Sequence, residues 1–137
     1  MDDNNTKVVE LKKIVADFRD ARGWKKFHAP RNLATSIVLE ASELLELFQW
    51  DLRAFSAAQI KKDKDRMEEI KNEMADVIVY SLSLADILGI DVTDAIIKKM
   101  EHNAKKYSVV YFNKDVQDLK HYKKIKKLYR SGKVVAK

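Results

Sequence analysis

The sequence contains no cysteine, only three glycines and only one proline among its 137 residues. Without cysteine, the chain has no disulfide framework, no thiolate metal site and no thiol nucleophile. The scarcity of glycine and proline, together with 35% charged residues, favours a mostly helical protein. The length suits one domain with a real hydrophobic core.

Long apolar runs are also missing. The N-terminal segment MDDNNTKVVE lacks the apolar stretch of a signal peptide. No segment approaches the roughly 18 consecutive apolar residues that a transmembrane helix needs. These two absences predict a soluble, cytoplasmic protein.

The formal net charge of +6 is unevenly distributed along the chain. Residues 108–137 contain nine Lys or Arg against two Asp, which gives +7 there and leaves −1 for the remaining 107 residues. The basic character therefore belongs to the C-terminal end. We predict a domain over residues 1–112 and a basic tail over 113–137, which is either flexible or becomes helical on binding.

Apolar residues recur at helical spacing in four long segments. The predicted helices cover about residues 5–22, 32–51, 65–88 and 92–107, with Gly23 and Gly89 as stops. A capping-box pattern at Ser56 predicts a short additional helix, and residues 118–130 have a weaker helical pattern. Residues 108–112 have the composition of a short extended piece. We therefore predict an all-α protein, an antiparallel four-helix bundle with a basic C-terminal tail.

The segment EASELLELFQW, which begins at Glu40, carries a carboxylate on an apolar helix face. At about 100° per residue, Leu33, Leu44 and Leu47 all lie within roughly 40° of Glu40. Glu43, one turn further on, lies at the edge of this face. A buried carboxylate without a partner costs several kcal/mol or takes up a proton, so this one needs compensation.

The segment EMADVIVY repeats this pattern, with Glu73 on an apolar helix face and Asp76 at its edge. If the two faces meet in one core, four carboxylates converge. Two like charges about 4 Å apart repel by several kcal/mol at an effective dielectric constant of 20, so protons or cations must neutralise them. An all-oxygen ligand set suits Mg²⁺ or Mn²⁺. We expect Glu40, Glu43, Glu73 and Asp76 to bind this ion. A di-iron site would require Glu-x-x-His on two helices, and no glutamate here has a histidine three residues later.

Three further residues have two interpretations each. Glu46 lies well round the helix from Glu40, which leaves an ordinary surface position and a supporting catalytic role equally open. Trp24 and Phe27 belong to the connector GWKKFHAPR. They either close the end of the bundle or form a stacking wall for a planar ligand such as a base.

At these residues the sequence resembles the MazG-like all-α nucleoside triphosphate pyrophosphohydrolases. The resemblance rests on EASELLELFQW, on EMADVIVY and on the K-x-x-x-N-x-x-K-Y pattern from Lys99 to Tyr107, and it covers about residues 8–107. The upstream segment RGWKKFHAPRNL indicates the dCTP pyrophosphatase branch. The resemblance implies Mg²⁺-dependent hydrolysis of a (deoxy)nucleoside triphosphate to the monophosphate and pyrophosphate, by a homodimer or a dimer of dimers.

The resemblance also implies a set of substrate contacts. Trp24 and Trp50 match positions that line the base pocket. Tyr80, Lys99 and Asn103 match positions near the phosphates, where Lys106 would add a further positive charge.

Three departures from the family pattern leave the substrate and a partner open. Val15 stands where the dCTP branch carries a base-contacting histidine, so dCTP and a modified nucleotide both remain candidates. Ser108 follows Tyr107 where proline is common, and the basic tail has no counterpart in the shared pattern. The tail supports an alternative, a non-catalytic nucleotide-sensing or nucleic-acid-binding helical module.

Overall fold

The computed structural model describes residues 1–50, 56–107, 109 and 119–132. Within these ranges all regular secondary structure is helical, which confirms the predicted all-α class. The helices are α1 (Val8–Asp20), α2 (Pro30–Gln49), α3 (Ala57–Ile60), α4 (Lys64–Ile87), α5 (Val92–Lys106) and α6 (Leu119–Arg130), with a 3₁₀ turn at Trp24–Phe27. The predicted extended piece at 108–112 lies, apart from Val109, outside the described residues.

The chain forms two units, Met1–Val92 and Thr93–Lys137. In the first unit, α4 packs mainly against α2 and also against α1. The predicted boundary after residue 112 stays a prediction. None of the helices in the described part of the chain is long and apolar enough to span a membrane.

Local chemistry sets the helix ends in the first unit. Asp63 caps α4, because its carboxylate accepts a hydrogen bond from the backbone N–H of Arg66 at 3.1 Å. Gly23 and Gly89 follow α1 and α4 with φ angles of 66° and 65°, a left-handed conformation that glycine adopts without steric cost. Ser56 precedes α3 as expected, but its hydroxyl forms no capping hydrogen bond, so the predicted capping box is wrong.

The first unit has a small hydrophobic core. Leu33, on the apolar face predicted for α2, is only 1% exposed, and Leu82 and Ala85 of α4 are also buried. Many large apolar side chains nevertheless remain exposed, among them Val9, Ile14, Val38, Leu39 and Leu45. A single chain therefore leaves much apolar surface in contact with water.

Arg19 of α1 is a buried charge that links two helices of this core. Its side chain is 2% exposed, and its guanidinium donates to Asp86 of α4 at 2.8 Å and to Asp20 at 2.7 and 3.0 Å. The hydrogen bond to Asp20 is the main cause that raises the pKa of Arg19, and the same contact lowers the pKa of Asp20. Helical periodicity missed this position, since it assigns charged residues to the solvent.

Candidate active site

Helices α2 and α4 bring three carboxylates together. One oxygen each of Glu40, Glu73 and Asp76 lies within 4.8 Å of the others. Glu40 and Glu73 are partly buried, whereas Asp76 is exposed, so the group opens to solvent on one side. Below we call these three residues the carboxylate group.

The fourth predicted ligand, Glu43, lies at the edge of this group. Its side chain is exposed, and it is not among the residues whose oxygens come within 4.8 Å of one another. Burial raises the pKa of Glu40, and the negative charges of Glu43, Asp76 and Glu73 raise it further. Glu43 therefore acts on Glu40 electrostatically, although its own contact with the group is looser than predicted.

In the described part of the chain, no basic side chain neutralises this negative charge. Among the described residues, no hydrogen bond or ion pair involves the carboxylates of Glu40, Glu43, Glu73 or Asp76. A structural acid would have a cationic partner, as Asp86 has Arg19. Three clustered oxygen donors, two of them from partly buried side chains, with no such partner among the described residues fit a hard divalent cation such as Mg²⁺.

A cavity of about 80 Å³ lies beside α4, between α1 and the 3₁₀ turn. Its lining residues are Val15, Phe18, Arg19, Trp24, His28, Val79, Tyr80 and Ser83. The rings of Phe18 and Trp24 meet edge to face, with 5.9 Å between their centroids and an interplanar angle of 75°. A cavity of this size has room for about two to three water molecules or for the edge of a planar ring.

His28 is the polar group of this cavity that is left without a partner. Its Nδ1 atom is buried and has no hydrogen bond to any described residue. Burial lowers the pKa of His28, and the nearby charge of Arg19 lowers it further, so the imidazole is neutral at pH 7. Leaving a buried polar atom unpaired costs about 1–3 kcal/mol, which a suitable ligand atom would recover.

The cavity and the carboxylate group are neighbours along α4. Tyr80 lines the cavity four residues after Asp76, which corresponds to about 6 Å along the helix axis. The two side chains lie on the same side of the helix, since residues four apart differ by only about 40° in direction. A ligand that contacts both would have a planar part and an acidic part a few ångströms apart.

The structure brings some of the predicted substrate-binding residues together but not all of them. Trp24 and Tyr80 both line the cavity, as does Val15. Trp50, at the end of α2, is 85% exposed and is not among the lining residues. Glu46 is also exposed.

The remaining predicted contacts, Lys99, Asn103 and Lys106, all belong to α5 in the second unit. There the Nζ atom of Lys106 lies 5.0 Å from the ring centroid of Tyr107 and 5.7 Å from that of Tyr129. Lys99 is exposed and Asn103 is partly buried. Their assignment to the phosphates stays a prediction.

Five lining residues were not singled out at the site by the sequence: Phe18, Arg19, His28, Val79 and Ser83. Helical spacing contained part of the necessary information, because Phe18 and Ser83 each lie three residues after Val15 and Tyr80 on the same side of a helix. His28 lies in a non-helical connector, where periodicity gives no direction. Arg19 was missed because of its charge.

The fold and this site define an all-α protein with a carboxylate centre between two long, facing helices. The MazG-like family model matches residues 35–121, and the chain belongs to this family. The family membership predicted from the acidic segments is thereby confirmed.

Relatives with described activities agree with the predicted branch. The chain is 37% identical to dCTP pyrophosphatase 1 of Rattus norvegicus over 100 residues, which are 73% of this chain and 58% of that protein. It is 34% identical to dCTP pyrophosphatase 1 of Homo sapiens over 98 residues, 72% of this chain and 57% of the human protein. The chain thus spans less than two thirds of the length of these curated relatives.

A solved structure shares both the fold and the sequence pattern. It is the crystal structure of a pyrophosphatase from Archaeoglobus fulgidus, which is 40% identical to this chain and superposes with a TM-score of 0.66. The match covers 79% of this chain and 98% of the archaeal one. The all-α architecture therefore extends over nearly the whole length of that relative.

Proposed function

We propose that this chain hydrolyses a nucleoside triphosphate, either dCTP or a modified nucleotide, to the monophosphate and pyrophosphate. The observation that carries the proposal is the carboxylate group, which has no cationic partner among the residues that the structure describes and lies beside a cavity lined by aromatic residues. The names of the relatives, dCTP pyrophosphatase 1 and a pyrophosphatase, support the same reaction.

In this proposal Glu40, Glu73 and Asp76 hold Mg²⁺, for which Mn²⁺ can substitute, and Glu43 completes the set at the edge. When bound, the cation neutralises the charge that develops on the phosphate oxygens during hydrolysis. Glu40 experiences the repulsion of all three other acids, whose negative charges raise its pKa. It therefore gains most from a bound cation.

Two exposed acids of α2 handle the proton. Glu43 belongs to the metal-binding set only at its edge, one turn from Glu40, so one of its two carboxylate oxygens remains to accept the proton of a water that attacks the α-phosphorus. Glu46, one turn further along α2, has a supporting role in orienting that water. Pyrophosphate then leaves, and a role for Lys99, Asn103 and Lys106 at the phosphates stays a prediction. These last three assignments rest on the family resemblance.

The cavity receives the base. Trp24 offers an aromatic surface, and Val15, Phe18 and Val79 add apolar contacts. Tyr80 lies between this cavity and the carboxylate group, where the sugar and first phosphate of a bound nucleotide would pass. Trp50 would add a second stacking surface, a role that only the family resemblance supports.

The decisive assay identifies the products that are released from each triphosphate. We expect one-step release of pyrophosphate from at least one triphosphate, dependent on Mg²⁺ or Mn²⁺, when a panel of common and modified nucleotides is analysed by chromatography. Stepwise release of orthophosphate would contradict the proposal. So would the absence of turnover across the whole panel.

A substitution at His28 tests the base pocket. We expect His28→Ala to lower kcat/KM for the preferred nucleotide by roughly 10- to 100-fold, because the ligand atom that pairs with the buried Nδ1 loses about 1–3 kcal/mol. The kcat/KM for poor substrates should change little, so the ratio of kcat/KM between the preferred nucleotide and the poor ones decreases. His102→Ala is the matched control, since His102 packs on Tyr129 in the second unit. Equal losses for good and poor substrates would indicate a structural role instead.

The exposed apolar surface supports a homo-oligomer, a dimer or a dimer of dimers. Val38 and Leu45 of α2 are 64% and 60% exposed, which is unusual for large apolar side chains on a central helix. A second copy would bury such a surface in a symmetric contact. We expect light scattering at micromolar concentration to give at least a dimer, and a monomer would contradict this assignment.

A further inference from the structure

Helix α6 carries positive charge that the proposed reaction does not use. It contains Lys120, Lys123, Lys124, Lys126, Lys127 and Arg130, and no Asp or Glu occurs between residues 119 and 132. By contrast, lysine alternates with aspartate in the segment KKDKDR. The charge of α6 is therefore not balanced within the helix.

The basic and apolar residues of α6 occupy different sides. At about 100° per residue, all six basic side chains fall within an arc of roughly 160°. Tyr122, Ile125, Leu128 and Tyr129 fall within the opposite arc of roughly 120°. We call the first of these sides the basic face of α6.

The apolar side of α6 is partly covered. Ile125 is 5% exposed. The ring of Tyr122 stacks on that of Tyr107, with 5.9 Å between centroids and 14° between planes. The ring of Tyr129 meets His102 edge to face at 6.1 Å. These contacts fix the helix in one orientation and turn the basic face outwards.

The basic face is available for a partner. Lys123, Lys127 and Arg130 are exposed, and among the described residues none of them forms an ion pair. They follow one another at i, i+4 and i+7, so they span about 10 Å along the helix axis. That length corresponds to about three successive phosphates of one strand of a B-form duplex.

From this geometry we propose that the basic face of α6 binds the phosphate backbone of a nucleic acid without reading its sequence. Lysine ammonium groups bind phosphates as point charges. A row of them matches a nucleic acid strand, which carries one negative charge per nucleotide. A membrane surface is a poorer match, because an interfacial helix inserts its apolar side, and here the rings of Tyr122 and Tyr129 on that side already contact Tyr107 and His102. The proposal is independent of the pyrophosphohydrolase activity.

The test uses the full chain and fluorescence anisotropy with a labelled duplex DNA of about two helical turns, and with single-stranded DNA and RNA of the same length. With three to five contacted phosphates, affinity for the duplex should fall roughly 40- to 500-fold between 50 and 200 mM salt. The triple variant Lys123→Gln, Lys127→Gln and Arg130→Gln should reduce the slope of log affinity against log salt by about 3. Its turnover of the preferred triphosphate and its circular dichroism spectrum serve to verify folding.

A second triple variant supplies the matched control. Lys61→Gln, Lys62→Gln and Lys64→Gln replace three exposed lysines near α3, and either triple lowers the formal net charge from +6 to +3. We expect the control to bind nucleic acid within about 3-fold of the unmodified chain, because salt dependence counts contacted phosphates. Equal loss in both triples would overturn the proposal, since net charge alone would then explain binding. No binding at 50 mM salt, or binding to anionic vesicles but not to nucleic acid, would overturn it as well.

Discussion

We expect Glu40→Gln and Glu73→Gln to abolish turnover and yet to leave the metal-free protein as stable as the unmodified chain, or more stable. The carboxylates of the group lie within 4.8 Å of one another and have no cationic partner among the described residues. At that separation and an effective dielectric constant of 20, two charges repel by about 3 kcal/mol before relaxation. Removing one charge relieves this repulsion.

The same substitutions should remove most of the stabilisation that Mg²⁺ gives. A ligand that binds only the native state raises the free energy of unfolding by mass action, so losing a metal ligand reduces the shift in Tm. The measurement is thermal unfolding in EDTA and in saturating Mg²⁺. Glu68→Gln is the matched control, because Glu68 is an exposed acid of α4 that pairs with Lys71, and surface pairs of this kind contribute about 0–1 kcal/mol.

The pH dependence of the metal-free protein gives an independent readout for Glu40. Its pKa is raised in the folded state, so the native protein keeps this proton at pH values where the unfolded chain has lost it. The native state then binds more protons, and the free energy of unfolding falls as pH rises above the usual value of 4.5. Glu40→Gln should remove this fall. A variant that is strongly destabilised in EDTA but keeps its Mg²⁺ response would reassign Glu40 and Glu73 to the scaffold.

Arg19→Met should produce a large loss of stability. The side chain is 2% exposed and donates hydrogen bonds to Asp86 across the α1–α4 contact and to Asp20 beside it. Breaking a buried pair from one side leaves acids without their cation, which costs 3–5 kcal/mol when both partners are deeply buried. Asp86 is partly exposed, so we expect about 2–3 kcal/mol and a decrease in Tm of roughly 10 °C.

The control for Arg19 lies on the same helix. Lys13 pairs with Asp17 at 2.6 Å, but both side chains are largely exposed. Lys13→Met should therefore change the free energy of unfolding by less than about 0.5 kcal/mol. Chemical denaturation of both variants compares them directly. If Arg19→Met proved as mild as Lys13→Met, the α1–α4 contact would depend on apolar packing alone.

The sequence predicted the helices well because their apolar residues recur with the period of a helix. The four long helices appear within a few residues of their predicted bounds, and Leu33 lies in the core as its side of α2 requires. The convergence of Glu40 with Glu73 and Asp76 was predictable for the same reason: each acid interrupts an apolar face, and apolar faces meet.

The cavity was not predictable from periodicity. It depends on the 3₁₀ turn that carries Trp24 towards Phe18 and on the connector that carries His28, and neither segment has a regular side-chain direction. Arg19 shows a second limit, because a pattern of hydrophobicity cannot distinguish a buried, paired arginine from a solvated one. The family resemblance predicted two residues that line the cavity, Trp24 and Tyr80, but it did not predict Phe18 or His28 beside them.

The small core of the first unit has a consequence for how the protein behaves in dilute solution. In the proposed homo-oligomer a second copy covers this apolar surface, so the free energy of unfolding should depend on protomer concentration. Dilution would then favour unfolding, and a cell that makes little of the protein would also degrade a larger fraction of it. The concentration of the protein and its lifetime in the cell would therefore increase or decrease together. The expression level would then also set the fraction of the protein that is folded.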